Sequence, residues 1–247
     1  MISGVKLHIM IWLGVMGAVS IPGIGMGYEE VVVSNGGSIS GYVRVGGKVN
    51  KAGYLEVTKN KEICGKVLDE SLVVGLGQGV RYAVVSLEGI SRGKGVEKEA
   101  VHEMDNLRCR FAPHVQAASV GQFLLLKNSD AILHTVHAYT PEGQPQFNVG
   151  LYPGRVSRKP LVSAGVIRIL CEVHSWMSAY VVVSEHPYYA VTDAYGEYQI
   201  SEVAAGSYRL RVWHESLGVE ERQVEVKGGA VSKVDFMLST SQGVKKR

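Results

Sequence analysis

The sequence predicts an all-β protein built from two sandwiches. Glycine is abundant, with 30 residues in a chain of 247, and turn signals recur at short intervals. No long stretch carries apolar residues at helical spacing, whereas short runs alternate apolar and polar positions as half-buried strands do. After an apolar leader about 220 residues remain, enough for one or two cores.

The leader, MISGVKLHIMIWLGVMGAVSIPGIGMG, has one lysine and no acidic residue before an apolar run from Ile9 to Ile24. This is the pattern of a secretory signal over residues 1–27, with Gly25 and Gly27 as a cleavage pair and Ala18 and Ser20 as a rival one. The run is shorter and more glycine-broken than the roughly 20 apolar residues of a spanning helix. The expected location is therefore periplasmic or otherwise exported, with no stable membrane insertion after cleavage. Retention as an anchor is the alternative. The leader has no cysteine to carry a lipid.

Residues 28–95 form an N-terminal β region. GGSISGYVRVGGKV alternates around Ile39, Tyr42-Val43 and Val45 and reads as a strand, with a bulge expected at Gly41. Tyr54–Thr58 reads as another. KNKEICGKVLDES is polar and irregular, and it contains Cys64. Arg81–Ile90 is a clear strand, followed by the charged loop SRGKGVEKE. In residues 96–185 the turn SVGQ precedes the strand FLLLK. NSDAILHTVHAY then places Ile132, His134 and Val136 on one face and His137 on the other. Pro153–Gly154 and Ala164–Gly165 mark turns. GVIRILCEVHSWMSAYVVV reads as a strand (Val166–Leu170), a tight loop and a second strand (Ala179–Val183). From Pro187 alternation resumes through Tyr198, Ile200, Tyr208, Leu210 and Val212, over residues 186–240. The closing residues 241–247 read as a solvated tail.

The chemistry-bearing residues concentrate in the tight loop, where Cys171, His174 and Met177 follow one another as C-x-x-H-x-x-M. Thiolate, imidazole and thioether on one turn are a soft ligand set suited to copper in an electron-transfer site, which needs a second imidazole; His134 offers it. Cysteine and methionine also pack well in plain cores. The absence of a second Cys or His in the loop argues against structural zinc. If Cys171 holds a metal, Cys64 and Cys109 are left as a disulfide pair in an oxidising compartment. No C-x-x-C-H is present, so the chain carries no covalent haem.

NSDAILHTVH and CEVHSWM resemble the two ligand-bearing segments of cupredoxins, and the C-x-x-H-x-x-M spacing is that of amicyanin. The resemblance implies a cupredoxin-like Greek-key sandwich over 96–185. It implies His134, Cys171 and His174 as equatorial copper ligands and Met177 as the weak axial one. Leu133 stands where amicyanin has a proline, and Ser175-Trp176 replace its proline-rich loop centre. The family further implies that the edge of His174 emerges at the surface as the electron's route. Trp176 would then lie in an apolar patch facing the partner, a c-type cytochrome or a periplasmic oxidoreductase. A buried loop anchor is the other reading of Trp176.

The pattern T-D-x-x-G-x-Y-x-I followed by A-G-x-Y-x-L is similar to the carboxypeptidase regulatory-like (transthyretin-like) sandwich, an accessory module. Its usual first strands, G-x-I-x-G-x-V and A-V-V-x-L, occur here at Ser38–Val45 and Ala83–Leu87, before the copper region. The expectation is a central domain inserted into one sandwich made of the flanking regions. Tandem order is the rival.

Net charge is +3 and the basic residues are scattered, so nucleic acid binding has no support. GSISG has Ile39 where a nucleophile elbow needs serine. GLGQG lacks the strand-helix unit of a dinucleotide site. His214 and Glu215 read as a surface pair, and His102 and His114 as a weak second metal site. The expected function is an exported type 1 copper protein that shuttles single electrons and is not an enzyme. The alternatives are a non-redox copper carrier, or a surface-binding module with a degenerate metal site.

Overall fold

The computed structural model describes residue 1 and residues 27–239 other than 48, 50 and 51. Most of the expected leader and all of the expected tail lie outside the described residues. The described chain is all-β, arranged as two sandwiches packed face to face.

The first sandwich pairs a five-stranded sheet, in the order 145–151, 134–139, 165–170, 178–184 and 115–119, with a four-stranded one, in the order 156–160, 123–128, 101–106 and 111–112. Strict alternation in FLLLKN, HTVHAY and SAYVVVS turns every second side chain inward. Met104, Leu124, Leu126, Val136, Ile167, Ile169 and Val181 meet there as one core. The strands on either side of the Cys171–Met177 loop, Gly165–Leu170 and Ser178–Ser184, are antiparallel neighbours, with Leu170 opposite Ser178.

The second sandwich draws on both ends of the chain. Gly37–Gly46 pairs with Glu197–Val203, placing Ile39 opposite Ile200, and with Phe236–Ser239, placing Val43 beside Phe236. Val84–Glu88 lies between Tyr189–Val191 and Gly206–His214, with Leu87 opposite Leu210. Gly41 carries no bulge: the burial alternates without a break along the strand, and the register shift falls at Ile200–Val203 instead. Glycine is needed at 41 because a Cβ there would sit 1.8 Å from the Val234 carbonyl oxygen.

Val115–Ser119 is buried at every position. Ala118 faces the first core, while Val115 and Ala117 meet Val84, Tyr82 and Trp213 of the second sandwich. A strand covered on both faces reads as continuous rather than alternating burial.

The N-terminal region divides between the two sandwiches. Residues 53–69 leave the second sandwich and close over the first. Tyr54–Thr58 is not a strand of any sheet; Leu55 instead pairs locally with Val67 through its amide, and Tyr54 bridges Leu68. Leu55, Val57, Cys64 and Val67 pack on the first core. A four-residue helix, Lys61–Cys64, ends at the disulfide from Cys64 to Cys109.

Candidate metal centre

The loop after Leu170 is closed by its own backbone. The Cys171 amide donates to the Met177 carbonyl (3.3 Å), and the Met177 amide donates to the His174 carbonyl (3.0 Å). This turn gathers Cys171, His174 and Met177, all buried, at the end of the sheet. His134 opens the neighbouring strand. The polar turn before it is built by Asn128, whose amide nitrogen donates to the Ile132 and Leu151 carbonyls (2.8 and 2.7 Å).

His134 Nδ1 and His174 Nδ1 lie 3.0 Å apart, and each is 3.9 Å from Cys171 Sγ. A point in the plane of that triangle lies about 2.0 Å from both nitrogens and about 2.3 Å from the sulfur, the lengths imidazole and thiolate adopt on a zinc-sized ion. Outside the triangle each ring donates its other nitrogen's proton: His134 Nε2 to Asp130 Oδ2 (3.0 Å), and His174 Nε2 to Asn60 Oδ1 (2.9 Å). An oxygen partner fixes the Nε2–H tautomer, so both Nδ1 lone pairs are aimed at the same buried point. Two lone pairs at that distance repel, and a cation between them removes the conflict. The donor set therefore fits a soft-site metal ion.

Burial raises the Cys171 thiol, but the neighbouring His134 side chain and hydrogen bonds from the Thr135 and His174 amides outweigh it and bring it below the usual thiol value. The Thr135 amide approaches Sγ at 3.4 Å, while its hydroxyl oxygen accepts the Glu172 amide at 2.7 Å and so anchors the loop. Burial, followed by the neighbouring His134, lowers His174 to about 4, which keeps its imidazole neutral and available as a ligand.

One expectation for this region needs correction. His174 does not emerge at the surface: it is fully buried, because residues 53–69 lie over it and present Asn60 to its outer nitrogen. Trp176 is partly buried against the first core, its Nε1–H donates to the Cys109 carbonyl (3.1 Å), and its ring lies 5.0 Å from that of His174. It anchors the loop to the disulfide. Asp130 makes the same connection from His134, since its carboxylate also accepts the Arg108 and Cys109 amides (2.6 and 2.8 Å).

His137 points away from the donor triangle, as alternation requires, and meets Glu172 and the Tyr139 hydroxyl (2.6 and 2.8 Å). His102 bonds Gln122 rather than His114. The His214–Glu215 pair is not at the surface. His214 is buried, and Glu215, with a side chain 10% exposed, is held by the buried His114 of the other sandwich. Sequence reading missed Asn60 altogether; it sits in an irregular segment 114 residues from His174.

No curated protein matches this sequence. Residues 158–234, which run from the first sandwich into the second, match the family described as polysaccharide lyase family 4, domain II. Among solved structures the chain is similar to a copper-containing nitrite reductase from Thermus scotoductus SA-01, with 21% identity over 36% of this chain and 23% of that one, at a TM-score of 0.31. It is similar to a purple cupredoxin from Nitrosopumilus maritimus, with 22% identity over 33% of this chain and 98% of that one (TM-score 0.30). A reduced amicyanin variant shows 18% identity over 34% of this chain and 83% of its own (TM-score 0.32). Cupredoxins are thus among the structures this chain is similar to, over about a third of its length.

Proposed function

We propose that this protein is an exported copper protein that carries single electrons, with the ion held by His134, Cys171 and His174 and tuned by Met177. The observation that carries the reading is the convergence of two Nδ1 lone pairs and a thiolate on one dry point. Copper would supply a one-electron couple in a soft, thiolate-bearing site. The protein's own residues hold the donors still. Asp130 and Asn60 fix the two ring orientations, Thr135 donates to the sulfur, and two backbone hydrogen bonds across the turn keep its donors in place. Donors that stay put through a change of charge keep the reorganisation small.

The partner is an exported redox protein, such as a c-type cytochrome or a periplasmic oxidoreductase. Contact over His174 would be through the segment that bears Asn60 rather than through the imidazole edge. The carrier alternative fits less well, because a disulfide staples the segment that seals His174 and leaves the ion no ready exit. A degenerate metal site would not keep all three donors in register.

Titration with Cu(II) tests the reading. The wild type should develop an intense thiolate-to-copper band in the visible. Cys171→Ala and His134→Ala should abolish it, and Met177→Leu should keep the colour and shift the potential, because an axial thioether tunes rather than holds. A colourless wild type with Cys171 shown to be reduced would overturn it.

A further inference from the structure

We propose that the cleft between the two sandwiches is a binding site for a small hydroxylated aromatic molecule of the phenol or hydroquinone class. The cleft has a volume of about 1040 Å³ and opens where residues of the 53–69 segment, the metal loop and the second sandwich meet. Junctions of domains are where pockets for small organic molecules concentrate, at volumes of roughly 300–1,000 Å³.

Its walls differ in chemistry. Trp176, Met177 and Leu170 give it apolar lining, and Asp69, Glu70, Arg110 and Arg168 give it charged lining. Trp176 has its indole nitrogen engaged by the Cys109 carbonyl, so the ring presents carbon to the cleft. Glu215 and His114 line the same cleft. Their side chains are 10% and 6% exposed and bonded to each other. Tyr180 also lines the cleft, and burial together with the Glu215 carboxylate pushes its phenol up to about 12. A carboxylate taken this far out of water is costly unless it is paired; Glu215 accepts from His114 and the Tyr180 hydroxyl, and its two oxygens have lone pairs left for a further donor. A pair that only fastened the sandwiches together would not need to open onto a cavity.

An aromatic plane and a buried carboxylate acceptor lining one cleft select a ring that carries a hydroxyl donor. The ring packs on Trp176, and the hydroxyl donates to Glu215. A site built around a buried acceptor rejects an analogue that lacks the donor. The location also has a consequence for the metal. Asn60 and Asp130 close both imidazole edges, and the cleft reaches the Cys171–Met177 loop at Trp176 and Met177. The binding site does not need the ion; any redox meaning rests on the copper reading above.

The test uses the metal-free mature chain under anaerobic conditions, with hydroquinone as the probe and its dimethyl ether as the control. Binding is followed by NMR of the Trp176 indole N–H, assigned with Trp176→Phe. The expected result is a saturable shift with a Kd no weaker than about 1 mM. The ether and the Glu215→Gln variant should each bind roughly tenfold more weakly. No saturable shift, equal affinity for the ether, or shifts confined to Trp213 would overturn the proposal, and the comparison of probe and ether in the wild type decides it even if Glu215→Gln fails to fold. Copper uptake is followed separately through its visible band. Colourless protein that binds hydroquinone removes the copper and keeps the cleft, and coloured protein that ignores hydroquinone does the reverse.

Discussion

Asn60 and Asp130 do the same work on different histidines, each accepting an Nε2–H and so turning an Nδ1 lone pair inward. Partners of this kind behind a metal ligand are worth roughly 10–100-fold in metal affinity. Asn60→Ala should therefore keep the visible copper band, since the three donors remain, while weakening affinity by about that factor and speeding copper loss to a chelator. Release at the wild-type rate in stopped-flow would show that Asn60 merely covers the ring. The contrast with the loop explains what was legible. Cys171, His174 and Met177 are three residues apart, so their chemistry is visible in one short string. Asn60 reaches His174 across 114 residues and belongs to a polar segment with no periodicity to place it. The two roles open for Trp176 could not be separated from sequence either, because they differ in burial and in the Cys109 carbonyl that the indole nitrogen meets 67 residues away.

At the scale of elements, alternation made most strands readable, and it failed where an element is stabilised by something other than a sheet. Residues 53–69 have a single short helix and local pairings, and they are held by Cys64, which joins Cys109 across a separation of 45 residues. On the chain-entropy account a loop of that length stabilises the fold by about 4 kcal/mol. Replacing both cysteines by alanine should lower the unfolding free energy by about that amount in urea titrations, and should speed copper release by freeing Asn60. A loss of stability with no change in release would separate the staple from the seal. Gly41 poses a different constraint. A glycine inside a strand, beside the apolar pair Tyr42-Val43, suggested a bulge, but the backbone of Val234 comes too close for any side chain. Gly41→Ala should destabilise by about 1–3 kcal/mol, as overpacking does, and a neutral change in denaturant midpoint would show that the two strands can separate at no cost.

For the whole molecule, the pairing of Gly37–Gly46 and Val84–Glu88 with strands beyond residue 188 means that neither end of the chain completes the second sandwich alone. A chain truncated to begin near Gly95 should leave residues 188–239 unfolded by NMR. It should also bind copper more weakly, because it lacks Asn60 and Cys64. The first half of that outcome was legible, since the missing strands appear as motifs before the central domain. The second was not, because nothing in the text of residues 53–69 says which core they cover.

The junction between the sandwiches makes the fold sensitive to acid. His214 is buried there, and desolvation, followed by the nearby His114, lowers its pKa from the usual value to about 4. In the unfolded chain it titrates near about 6.5. Between those values the unfolded state holds a proton that the native state refuses, so stability rises with pH across this window. The contribution is complete above about pH 6.5 and is lost as pH falls towards 4, by up to roughly 3 kcal/mol at 1.36 kcal/mol per unit. His186, lowered first by burial, slopes in the same direction, so the wild-type curve alone does not isolate the junction. The measurement is the difference between wild type and His214→Gln in urea unfolding at pH 7, 5.5 and 4.5. The variant should be less stable at pH 7 if the buried amide packs imperfectly, yet its stability should fall less steeply with acid. Parallel curves would mean that His214 keeps its ordinary pKa and that the junction opens to water.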